Sequence, residues 1–193
     1  MGRAKKAQKQ KKTGGEDPDA PVEVLRFLFP VPEPIEQVGI ELTDRVITSV
    51  KVAPSKKELK GYTWFLDLDE ESEFFDEMFG RLSEYFSGAR KALEFDYDLE
   101  MHGLPRFHRR VLKETLKIPY GRTRTYGFIA EKLGRPDAYR VVLAALVANP
   151  LPVVIPCHRV TTHKSGIGSY VGGKDAKRWL LAMEKEGAKR QDL

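Results

Sequence analysis

Apolar residues change their spacing once along this chain, near residue 72, and that change limits the folds open to it. Over VEVLRFLF, VGIELTDRVITSVKV and YTWFLDLD, β-branched and aromatic residues recur with partial two-residue alternation, the pattern of half-buried strands. In EESEFFDEMFGRLSEYFSGAR, residues Phe74, Phe75, Met78, Phe79, Leu82, Tyr85 and Phe86 instead fall at helical spacing. They predict an amphipathic helix ending near Gly88, with the aromatic stripe as core. Strands gathered ahead of helices predict an α+β chain: a small N-terminal α/β unit over 21–101, without a catalytic constellation, then a mainly helical region over 102–187. Residues 1–20 lack apolar periodicity and read as a disordered basic arm, and 188–193 read as a tail.

The helical region has its own punctuation. PRFHRRVLKETLKI places Phe107, Val111, Leu112, Leu116 and Ile118 on one face, and PYGR stops it. TYGFIAEKL and DAYRVVLAALVAN then flank the breaker GRP. Two short helices joined by a tight glycine-containing turn fit a helix-turn-helix and a generic helical hairpin equally well. Pro136 suits the first turn of the second helix, and Asp137 its positive N-terminal end. LPVVIP, residues 151–156, reads as a short buried strand or extended segment. Gly166, Gly168, Gly172 and Gly173 mark a loop of close approach, and DAKRWLLAMEKEG a final helix with Trp179, Leu180 and Met183 inward.

Charge separates the same two halves. Residues 21–101 carry nine Lys/Arg against eighteen acids, whereas residues 102–193 carry eighteen against seven. A basic half suits a polyanion, although an ordinary solvated basic face gives the same count. Joined to the helix-turn-helix pattern, it favours DNA. No stretch approaches the roughly 20 apolar residues that span a bilayer, and the basic N-terminus is not followed by an apolar signal core.

Cys157 is the single cysteine of the 193 residues. One thiol forms no intramolecular disulfide, so a reducing compartment, cytoplasmic or nuclear, is expected. One cysteine and four scattered histidines do not supply zinc spacing, and no metal or cofactor is expected. A lone cysteine is most simply a small buried hydrophobe. As a nucleophile it needs a base or a nearby cation, because a free thiol is only a few per cent thiolate at neutral pH. His158 and Arg159 follow at once as candidates for either role, and Glu184 is a candidate to orient the histidine if the fold returns it.

The string PCHRV at 156–160, preceded by NP at 149–150 and followed by GSYVGG at 168–173, resembles the O6-alkylguanine-DNA alkyltransferases, also called methylated-DNA–protein-cysteine methyltransferases. The likeness runs without a gap from about Phe107 to Glu184. It implies a ribonuclease H-like N-terminal roll ahead of a winged helix-turn-helix-like alkyltransferase domain. It further implies irreversible single-turnover transfer of a methyl or small alkyl group from O6-alkylguanine, and O4-alkylthymine as a further candidate, in duplex DNA to Cys157 after base flipping. The alternative is a non-catalytic lesion-binding protein on the same scaffold. By the resemblance, His158 removes the thiol proton through a water, Glu184 orients His158, and Asn149 fixes the turn behind the cysteine. Tyr126 helps place a proton on the departing guanine, while Arg140 enters the base stack. Arg135, Tyr170, Val171 and Gly172 are implied to meet DNA or the flipped base, and the working unit to be a monomer on double-stranded DNA, away from membranes. The chain departs from the family at Leu143 and Ala144, where small glycines are usual, at His108 for glutamine, Leu112 for tryptophan, and Val171 for a serine.

Overall fold

The computed structural model describes residues 24–64, 73–162 and 166–191. The expected arm over 1–20, and the end of the YTWFLDLD run, lie outside the described residues. Strands β1 (Val24–Pro30), β2 (Gln37–Thr43) and β3 (Val46–Val52) form an antiparallel meander, and β4 (Thr63–Trp64) joins β1 in parallel, giving the order β3-β2-β1-β4. The run VGIELTDRVITSVKV is therefore two strands. Asp44 and Arg45 turn it with φ of 49° and 67°, so the hairpin closes on two left-handed residues, the twist that matches paired strands.

Alternation puts Phe27 and Phe29 of β1, and Val38, Ile40 and Leu42 of β2, on one buried face. Helix α1 (Glu73–Phe86) lies on that face, with Phe75 edge-on to Phe27 at 6.4 Å and Phe79 to Phe29 at 5.1 Å. The α1 stripe is core, as expected. It ends in a turn where the Gly88 N–H donates to Tyr85 O at 3.0 Å.

Helices α2 (Arg106–Thr115), α3 (Tyr126–Lys132) and α4 (Tyr139–Val147) form the second half, burying Val111, Leu112, Ile129, Val142 and Leu146 among themselves. Thr125 caps α3 by accepting from the Phe128 N–H at 3.1 Å. The helix closes with paired bonds from Arg135 N to Ala130 O and Gly134 N to Glu131 O, both 2.9 Å, about a left-handed Gly134 (φ 71°). Here one expectation is corrected. Pro136 and Asp137 precede α4 instead of opening it, because Ala138 N donates to Arg135 O and closes a turn over 135–138. Proline suits the second position of such a turn as well as it suits a helix start.

The LPVVIP segment is likewise not a strand. It folds on itself, with Ile155 N donating to Leu151 O at 2.8 Å and Val153 at φ 76°. Cys157–Arg159 then form one 3₁₀ turn, followed by β6 (Val160–Thr161), which pairs in parallel with β5 (Arg124–Thr125) at the start of α3. Helix α5 (Gly173–Gln191) closes the molecule and extends through residues expected as tail. The structure is thus a mixed α+β fold with a small sheet and five helices among the described residues.

Candidate active site

Asn149, at the end of α4, organises the ground beneath the thiol. Its Oδ1 accepts from Leu151 N at 3.1 Å, and its Nδ2 donates to Ile155 O at 3.0 Å and to Cys157 Sγ at 3.1 Å. The side chain thereby fixes the turn and also touches the sulfur. A buried tight turn leaves backbone groups that water cannot reach, and a carboxamide supplies both donor and acceptor for them.

Cys157 is 4% exposed. Burial raises its thiol to about 11, against the Asn149 hydrogen bond and the charge of Lys177. Lys177 sits fully buried on α5, donating to Val160 O at 2.6 Å and Ser169 O at 3.1 Å, and burial lowers its ammonium to about 8. The sequence reading missed this lysine. Its signal was the inward spacing of positions 177, 180 and 184 on α5, where two of three residues are charged.

His158 and Glu184 are both 0% exposed, with Nε2 and Oε1 2.8 Å apart. Burial opposes ionisation of Glu184. The facing His158 ring, together with the hydrogen bonds and charge of Arg159, outweighs it and holds the carboxyl at about 2. Burial also lowers His158 below its ordinary value, overcoming the pull of Glu184. A neutral imidazole facing an ionised, acceptor-only carboxylate must carry its proton on Nε2. Nδ1 is then a bare lone pair, buried and without a protein partner among the described residues. That atom is free to accept a proton.

Arg159 does not serve the thiol. Its guanidinium is committed to Glu184 at 2.8–3.1 Å and to Ile118 O at 2.8 Å, so among the described residues the cation whose charge acts on the sulfur is Lys177. The N-terminal half, read as without a catalytic constellation, nevertheless reaches this cluster through one side chain. Tyr85 of α1 donates to Glu184 Oε1 at 2.7 Å and lies 3.5 Å from His158 Nε2. Gly187 makes this meeting possible, since a Cβ there would stand 2.8 Å from Gly88 O at the end of α1.

Tyr126, Leu143, Leu146, Val147, Ser169, Tyr170 and Val171 line a small cleft together with Cys157. Burial raises the Tyr126 hydroxyl, against a hydrogen bond from the Ser169 backbone, and Gly168 leaves room for that hydroxyl where a side chain would collide. Tyr170 stands edge-on to His158 at 6.1 Å. Gly172 packs against Val52 of β3. Seven expected residues therefore meet around one thiol: Cys157, His158, Glu184, Asn149, Tyr126, Tyr170 and Val171. Arg135 and Arg140 do not line the cleft. Both are exposed, Arg135 over the Phe107 ring at 5.2 Å and Arg140 over Tyr139 at 5.6 Å, on the outer face of the α3–turn–α4 unit. No cluster of metal-binding side chains occurs among the described residues, and no described helix is long and apolar enough to cross a membrane.

Residues 106–186 match the family model described as 6-O-methylguanine DNA methyltransferase, DNA binding domain. The chain is 37% identical over 155 residues to a methylated-DNA–protein-cysteine methyltransferase of Mycolicibacterium paratuberculosis, covering 80% of this chain and 90% of that one. A Methanosarcina barkeri protein of the same name is 42% identical over 119 residues, covering 62% of this chain and 73% of its own length. Among solved structures, Mycobacterium tuberculosis O6-methylguanine methyltransferase superposes with a TM-score of 0.69 at 30% identity, over 85% of this chain and 94% of that one. The same tuberculosis protein in complex with DNA also gives 0.69 at 30% identity, over 84% and 93%.

Proposed function

The chain belongs to the methylated-DNA–protein-cysteine methyltransferase family, and from that premise we propose that it repairs DNA by direct reversal, taking a methyl or small alkyl group from guanine O6 onto Cys157. The observation that carries this reading is one sulfur in the lining of a small cleft, backed by a neutral histidine with a free Nδ1 and an ionised glutamate.

The reaction is a single displacement. The thiol proton passes through a water to His158 Nδ1, and the sulfur attacks the alkyl carbon. The S–C bond forms as the C–O6 bond breaks, and guanine leaves with the bonding pair. Glu184 steadies the imidazolium that results. The Asn149 amide and the Lys177 charge stabilise the thiolate on its way. Tyr126 offers its hydroxyl proton to the departing base. A thioether has no leaving group that nearby residues can displace, so each chain acts once.

Access to O6 requires the base to leave the stack, at a cost of a few kcal/mol that a poorly paired alkylated base lowers. We read α3–turn–α4 as the helix-turn-helix of a winged domain over 102–187, with α4 in the minor groove. Arg135 is assigned to the backbone, and Arg140 to the place of the extruded nucleotide. The sheet and α1 are read as a ribonuclease H-like roll over 21–101. The working unit is a monomer, in whichever reducing compartment holds the DNA.

Incubation with duplex carrying O6-methylguanine, followed by mass measurement of the tryptic peptide 141–159 that holds Cys157, tests the proposal. A gain of one methyl on that peptide is expected. An unmodified peptide with the lesion intact would leave a lesion binder instead.

A further inference from the structure

We infer that Tyr85 is a positioning residue of this methyl-transfer centre: its hydroxyl holds the Glu184 carboxylate and so sets the strength of His158 as a base. The inference rests on the function proposed above.

Tyr85 comes from α1, 99 residues before Glu184, and is fully buried. Its ring packs edge-on against Phe86 at 5.3 Å and Tyr120 at 6.2 Å, contacts that phenylalanine would make equally well. Burying a phenol hydroxyl is unfavourable unless it finds a partner. Its partner is Glu184 Oε1 at 2.7 Å, the oxygen that also receives His158 Nε2–H at 2.8 Å and Arg159 Nη2–H at 2.8 Å. The second oxygen accepts from Arg159 Nε at 3.0 Å and Gly121 N at 3.1 Å.

Each donor spreads the carboxylate charge and lowers its pull on the histidine proton. When His158 takes the thiol proton, the imidazolium leans on Glu184 for stabilisation. A carboxylate already engaged by Tyr85 stabilises that cation less, so the hydroxyl keeps the resting ring neutral with Nδ1 open. The other groups facing this cluster act in known directions. Arg159 and Lys177 disfavour the imidazolium, and Glu184 favours it. Tyr170, at the ring edge, stays protonated, as does Tyr85, both pushed well above the ordinary phenol by burial. Cys157 supplies the proton and Tyr120 closes the far side.

The test is Tyr85→Phe, which keeps the ring, beside replacement of Tyr85 by 3-fluorotyrosine, a stronger donor of similar size. Single-turnover methyl transfer is followed against pH, and the His158 imidazole is titrated by NMR without DNA. In Tyr85→Phe the acid limb of the rate and the His158 titration both move upward by about one pH unit, and the fluorinated variant moves them downward. Tyr85→Phe is then up to about tenfold slower on the acid limb and within about twofold of the parent on the plateau, taking the limb shift above. Unchanged titrations in both variants, or equal slowing at every pH with a lowered Tm, would overturn the assignment. The NMR arm does not need activity, so a parent chain that transfers no methyl would refute the proposed function while Tyr85 is still decided.

Discussion

A thiol 4% exposed and raised to about 11 is almost wholly protonated at neutral pH, which shields a single-use sulfur from oxidants while no lesion is bound. On the proposed mechanism activation is local: Asn149 and Lys177 favour the anion, and the unpartnered His158 Nδ1 is the acceptor proposed for the proton. The direction of the pH dependence follows. A raised acid stays protonated longer, so alkylation of the free protein's Cys157 by iodoacetamide should keep accelerating above pH 9 toward about 11. A rate already level at pH 7, read by peptide mass, would show a resting thiolate. Cys157, His158 and Asn149 were legible because the PCHR string and its upstream Asn-Pro lie close together in sequence, whereas Glu184 was legible only through the family resemblance. Tyr85 was not legible. It occupies a buried helical position where any aromatic fits, and its partner lies 99 residues away. Lys177 was hidden because a buried lysine in a sequence looks like one more charge on a helix.

Among the elements, α4 departs most from what the family resemblance implies. Leu143 is half-buried in the wall of the cleft, the exposed Val147 and Val171 line it too, and Ala144 is exposed outside it. With Leu146, these lining residues make that side of the cleft apolar, and it is expected to admit a methyl group more readily than a benzyl one. Leu143→Gly should raise the single-turnover rate with O6-benzylguanine about tenfold, while methyl transfer stays within about threefold, at a helix cost of about 1 kcal/mol. An unchanged benzyl-to-methyl ratio would remove Leu143 from substrate selection. Helices α1 and α2 followed from apolar spacing because their buried stripes are long enough to fix a period. The start of α4 did not, since Pro136 serves a turn and a helix start alike. The 151–156 segment misled for another reason: an apolar run bounded by prolines shows burial, and only the Asn149 side chain decides that it folds on itself.

The whole molecule divides by charge, with an acidic half carrying the sheet and a basic half carrying the thiol. The two are joined at the site itself. Val50 N of β3 donates to Pro150 O at 2.9 Å, Tyr85 of α1 reaches Glu184, and Gly172 rests on Val52. The N-terminal half thus braces the turn, the carboxylate and the loop around one cysteine, while Arg135 and Arg140 are exposed outside the cleft. If Cys157 accepts the alkyl group once and for all, repair is stoichiometric. With O6-methylguanine duplex in excess, lesion removal should stop at one per chain, and Cys157→Ala should remove none while still binding the duplex. Removal beyond one lesion per chain, or any removal by Cys157→Ala, would contradict it.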